Sequence, residues 1–153
     1  MTRKEKAMNY FLEGYNCSQS VVLAFADLLD METAQLARLS SAFGGGMGRL
    51  REVCGSVSGM FIVLGILYGY DDPKEFEGKK VLYERVQELA HRFEAVNGSI
   101  VCRELLGLAE KSQEPTPEQR SDKYYKKRPC KELVGCAAEI LEDFLEEVKS
   151  PLQ

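Results

Sequence analysis

Residues 53–70 read VCGSVSGMFIVLGILYGY, eighteen positions without a charge, twelve of them apolar and the other six glycine or serine. A run of that kind is either the buried centre of a helical protein or a membrane span at its lower limit of length. The flanking segments favour the first. Met8, Phe11 and Leu12 upstream, and Phe76, Val81, Leu82, Val86, Leu89 and Phe93 downstream, recur at helical spacing and make stripes able to cover a central helix. The chain is therefore expected to be all-α, a compact bundle of about six to eight helices around an apolar, glycine-containing central helix. It is not expected to be an integral membrane protein. Two small-xxx-small pairs, Gly55/Gly59 and Gly65/Gly69, suit close helix approach and, with the long amphipathic segment that follows, are compatible with a homodimer.

Working outward, Gly14 ends a first helix and Asn16 caps the second, CSQSVVLAFADLL. Thr33 is the expected N-cap of a short third helix through Leu36, Leu39 and Phe43, which stops in the glycine run Gly44-Gly45-Gly46-Met47-Gly48. Asp71-Asp72-Pro73 is expected to open a long helix that ends at Asn97-Gly98, and Ser99 to cap a short one, IVCRELLG, closed by Gly107. AEKSQEPTPEQRSD, at about 109–122, is polar, contains two prolines and lacks periodicity, so a mobile loop or lid is expected there. A basic approach and Pro129 then lead into a last amphipathic helix. Nothing in this order breaks the chain, and residues 1–153 are read as one all-α domain.

The chain is 44% hydrophobic and 29% charged with a formal net charge of -4, which suits a globular protein and argues against disorder and against a nucleic-acid partner. The opening MTRKEKAMNYFLEG has neither an apolar stretch nor a small-residue cleavage site, so no secretory signal is read and the cytoplasm is the expected location. Five cysteines are many for a protein of that compartment, and none forms Cys-x-x-Cys. Such a set points to redox chemistry or metal binding at a site assembled from distant segments.

The cysteines sit at informative places. Cys17 follows the cap Asn16, Cys54 opens the central helix, Cys102 lies in the turn after Ser99, and Cys130 follows Pro129. Four helix starts thus carry four thiols, and the positive end of a helix favours thiolate, the form that attacks disulfides and binds metals. Arg49 and Arg51 before Cys54, Arg103 after Cys102, and Lys126, Lys127, Arg128 and Lys131 around Cys130 reinforce this. Gly45 and Gly46 with Arg49, Arg51 and Arg103 make a candidate substrate or anion site. The run lacks the Gly-Lys-Ser/Thr ending of a nucleotide loop. Cys136, in mid-helix among small residues, is expected to be a buried small hydrophobe. Glu88-x-x-His91 is half of a di-iron motif that one histidine cannot complete.

These residues resemble a known family. Asn16-Cys17-Ser18-Gln19-Ser20, Gly44-Gly45-Gly46-Met47-Gly48-Arg49, Cys54-Gly55-Ser56-Val57-Ser58-Gly59, Cys102-Arg103-Glu104-Leu105-Leu106-Gly107 and Cys130 are similar, in that order, to the redox-active proteins named for their C-GCAxxG-C-C cysteine pattern. Here Cys54-Gly55 reverses the glycine and cysteine of the name, and Ser56 stands in place of its alanine. The resemblance implies that Cys17, Cys54, Cys102 and Cys130 are the characteristic cysteines. It also implies a transporter or redox protein as partner, since such genes often neighbour transporter genes.

Two chemistries remain open at this point. In one, Cys54 is the attacking thiolate of a thiol–disulfide protein and Cys17, Cys102 or Cys130 resolves it. In the other, the four cysteines converge on zinc or an iron–sulfur cluster. A non-enzymatic transporter-associated role is the third reading.

Overall fold

The computed structural model describes residues 1–109 and 112–149, so the expected loop at 109–122 includes two positions outside them. Eight right-handed helices are present among the described residues: α1 (Arg3–Leu12), α2 (Cys17–Leu23), α3 (Thr33–Ser40), α4 (Gly55–Tyr68), α5 (Phe76–Asn97), α6 (Cys102–Leu105), α7 (Asp122–Lys127) and α8 (Cys130–Lys149). The all-α expectation holds. None of these helices is long and apolar enough to cross a membrane.

α4 is the centre for its first ten residues only. Val57, Met60, Val63 and Leu64 are fully buried, whereas Ile66 and Tyr68 emerge at the surface. α2 packs along one side of α4, α5 and α8 meet it from others, and α1 lies along α8. Phe11, Phe25, Leu36, Leu89, Phe93 and Leu141 complete the core. At about 1.5–3 kcal/mol for each large side chain fully buried, this stack outweighs surface ion pairs such as Arg92 with Glu88 and Glu147, both at 2.7 Å, which contribute about 0–1 kcal/mol each.

Of the two small-residue pairs, one is a helix contact. A Cβ on Gly55 would stand 3.0 Å from Cys17 Cβ and from Phe43 O, and one on Gly59 would stand 3.0 Å from Ser18 O and Val21 Cβ, so this face of α4 lets α2 lie close. A Cβ on Gly65 meets nothing within 4 Å.

Several boundaries differ from expectation. The central helix spans 55–68 with Cys54 as its N-cap. Glu32 rather than Thr33 precedes α3, and residues 41–43 form a separate 3-10 turn before the glycines. The long helix begins at Phe76 because Asp72 Oδ1 accepts from Lys74 N at 2.9 Å, which holds 72–74 in a turn. Gly14, Gly98 and Gly107 do end their helices at positive φ.

Asn16 is a full capping box: its Oδ1 accepts from Gln19 N at 2.9 Å and its own N–H donates to Gln19 Oε1 at 3.1 Å. Its Nδ2 also donates to Ser41 O at 2.9 Å, tying the start of α2 to the approach of the glycine run. Asn16→Ala is expected to cost about 1–2 kcal/mol in urea unfolding. A loss below about 0.3 kcal/mol would show that the cap contributes nothing.

Candidate functional site

Three local devices bring the helix starts together. The first is the glycine run, whose residues 45–49 all have positive φ: Gly45 at 69°, Gly46 at 63°, Met47 at 70°, Gly48 at 62° and Arg49 at 70°. This is one turn of left-handed helix, closed by Gly48 N donating to Gly44 O at 2.8 Å. Glycine adopts that conformation freely, but Met47, Arg49 and Arg51 (φ 60°) each cost about 1–2 kcal/mol there. Neighbours hold the strained residues: Gln113 N donates to Arg49 O at 2.9 Å, and Arg103 N to Arg51 O at 3.3 Å.

The second device is a single antiparallel bridge between Val53 and Val101. Cys54 N donates to Ile100 O at 2.8 Å and Cys102 N to Glu52 O at 2.6 Å, so the starts of α4 and α6 lie side by side. Ser99 braces the second of these: its Oγ accepts from Val101 N at 2.9 Å and donates to Glu104 Oε1 at 3.0 Å, although Val101 is the N-cap. The third device is the polar segment after residue 111, which is pinned across the opening. Arg49 Nε donates to Glu114 O at 2.8 Å, Arg120 donates to Phe11 O at 2.9 Å and Tyr15 O at 3.0 Å, and Arg128 pairs with Glu118.

The result is a cavity of about 380 Å³. Cys17, Cys54, Cys102 and Cys130 all line it, as do Gly45, Gly46, Arg49 and Arg51. Arg103, expected in this group, does not: it turns to the outer side, where Nη1 donates to Arg51 O at 3.3 Å and meets Glu52 Oε2 at 3.4 Å. Its place in the short α6 directs it past the cavity wall. Cys136 also lies elsewhere, half-buried rather than buried, with Asn97 Nδ2 3.5 Å from its sulfur. His91 is exposed on α5.

Arg120, Arg128, Glu118 and Tyr124 line the cavity without having been singled out as site residues. For Arg128 a partial signal existed in Lys126-Lys127-Arg128, but a run of three cations does not say which turns inward. Lys126 and Lys127 are exposed, and Arg128 is buried. Arg120 carries no sequence signal at all. It is placed by its contacts, stacked 4.1 Å from the Phe11 ring centroid.

The four thiols are not equivalent. Burial pushes the Cys54 thiol up to about 11, against the opposing pull of the Ser56 N–H and hydroxyl. This counts against Cys54 as the attacking thiolate. Cys102 is also raised by burial, opposed by Arg51, whose Nη1 is 3.4 Å from its sulfur. Cys17 and Cys130 act as a pair. Their mutual interaction raises Cys17 well above the ordinary thiol range and lowers Cys130; burial adds to the rise of Cys17 and opposes the lowering of Cys130, to which Arg128, Arg51 and Arg120 add. Cys130, at the first position of the long α8, is the one cavity thiol moved downward, the direction in which a helix N-terminus also acts.

All five cysteines are free thiols. Among the described residues no group of three or more Cys, His, Asp or Glu is arranged to hold a metal ion.

Residues 15–144 match the model of a protein family described as "Putative redox-active protein (C_GCAxxG_C_C)". No curated protein and no solved structure matches the chain.

Proposed function

The chain belongs to the C_GCAxxG_C_C family of redox-active proteins, and on that premise we propose that it exchanges thiols with disulfides through Cys130 as nucleophile and Cys17 as resolving thiol. One observation carries the reading: Cys17 and Cys130 line one cavity beside Arg51, Arg120 and Arg128, and their mutual interaction moves the Cys17 thiol up and the Cys130 thiol down. A lowered nucleophile with a neighbouring protonated thiol is the arrangement that disulfide exchange requires.

Cys130 Sγ attacks one sulfur of a substrate disulfide; that S–S bond breaks, a mixed disulfide forms, and the other half leaves as a thiolate that takes a proton from water. Cys17 then loses its proton to water and attacks Cys130 Sγ, forming a Cys17–Cys130 disulfide and releasing the second half. The substrate gains two electrons and the protein loses them. A dithiol reductant returns the protein to its starting state by the reverse exchange.

Mapping disulfides by mass spectrometry after one equivalent of a small disulfide tests this. A Cys17–Cys130 bridge in most of the protein is expected, with Cys136 free. A different pairing, or five unmodified thiols, overturns the assignment.

A further inference from the structure

A cation taken out of water needs a counter-charge, and the cavity holds two guanidinium groups in that condition. Arg128, 6% exposed, has the carboxylate of Glu118. Arg51, 5% exposed, has no carboxylate partner among the described residues. Its Nη1 faces Cys102 Sγ, and its Nε and Nη2 donate to the neutral amide oxygen of Gln113 at 2.9 and 2.6 Å. Arg49 and Arg120 complete the positive wall, their donors on backbone carbonyls. Among the described residues Glu118 is the one carboxylate in the lining, so even with Cys130 ionised their positive charges exceed the negative by two.

We infer, building on the thiol–disulfide reading above, that the cavity selects small disulfides bearing carboxylates, held by Arg51 and Arg128, and that Glu118 is an internal anion which such a substrate displaces. The size fits: about 380 Å³ lies at the lower end of the roughly 300–1,000 Å³ of small-molecule sites. The left-handed glycine turn forms one wall with little side-chain bulk, which lets a ligand come close to the backbone. Glu118 is suited to being displaced because its side chain is 32% exposed and returns to water readily, whereas Arg128 stays buried and needs the replacement. A substrate carboxylate on Arg128 exchanges one charge-assisted hydrogen bond for another. The reaction is the exchange already described, and the arginines also hold the thiolate that departs.

The test uses three symmetrical disulfides of similar size: dithiodiglycolate with two carboxylates, neutral bis(2-hydroxyethyl) disulfide, and cystamine with two ammonium groups. Loss of protein thiols gives the rate with each. At low salt the dianion is expected to react about tenfold faster than the neutral compound and the dication slower still, with the gaps closing as salt is added. Glu118→Gln is expected to raise the ratio of dianion to neutral rates, and Arg128→Gln to lower it. Equal rates for all three overturn the anion selectivity and leave the exchange chemistry standing. An unchanged ratio in Glu118→Gln overturns the role given to Glu118. Glutarate, a dianion without a disulfide, separates the remaining cases by calorimetry. If it binds while no disulfide reacts, the exchange reading fails and the anion site stands; if neither occurs, both fail.

Discussion

Gly46→Ala is expected to destabilise the protein by about 2–5 kcal/mol, while Gly48→Ala, two residues along the same left-handed turn, costs about 1–2 kcal/mol. Both positions have φ near 60°, so the backbone penalty of an L side chain is common to them. Only the surroundings differ. A Cβ on Gly46 would stand 2.6 Å from Cys102 Cβ, 2.8 Å from Arg51 Cα and 2.9 Å from Glu52 N, and two of these three are backbone atoms fixed by the Val53–Val101 bridge. A Cβ on Gly48 would meet nothing within 4 Å. Urea unfolding measures the two losses, and thiol labelling of Cys102 reports whether relief of the clash opens the cavity in Gly46→Ala. Equal losses at the two sites would mean that the wall around Gly46 yields, and that the glycine is needed for its conformation alone.

Cys130→Ser is expected to reduce disulfide exchange at pH 7 by a factor on the order of 10² or more. The remaining cavity thiols cannot replace it. With its thiol at about 11, Cys54 is ionised in roughly one molecule in 10⁴ at neutral pH, and Cys17 and Cys102 are raised as well. Cys136→Ser serves as the comparison, since that residue lies outside the cavity. Cys17→Ala separates the two roles in the pair. Losing the Cys17 interaction that lowers Cys130 raises the Cys130 pKa, so the rate of attack rises with pH along a curve displaced to higher pH. The product then stops at the mixed disulfide, because the resolving thiol is gone. A Cys130→Ser protein that keeps its rate, or a Cys17→Ala curve displaced to lower pH, would assign the chemistry to other thiols.

Much of the fold was legible because its signals are local. Asn16 as a cap and Gly14, Gly98 and Gly107 as helix ends each depend on a few neighbouring residues and keep their meaning in the folded chain, whereas the apolar runs do so only in part: Phe11, Leu89 and Phe93 are buried, but Leu12, Phe76, Val81, Ile66 and Tyr68 are exposed. The misplaced boundaries have local causes too. Asp71-Asp72-Pro73 satisfies the rules for a helix start, yet the Asp72 side chain bonds Lys74 N and forms a turn instead. The glycine run was visible as a loop, but nothing in GGGMGR states that five successive residues turn left-handed.

The candidate site divides along the same line. By itself the sequence determined that four cysteines stand at helix starts, since caps and prolines mark those places within a few residues, and that Cys136 does not. Only the tertiary structure makes the four thiols unequal, with Cys130 moved down and the other three moved up. The ranking depends on burial at Cys54, on the interaction between Cys17 and Cys130, and on Arg51, Arg120 and Arg128 arriving from separate segments. Those are distances across the chain, and no spacing along it encodes them. The same reason sends Arg103 outward and Arg128 inward: a charge near a cysteine in sequence acts on that sulfur only if the backbone directs it there.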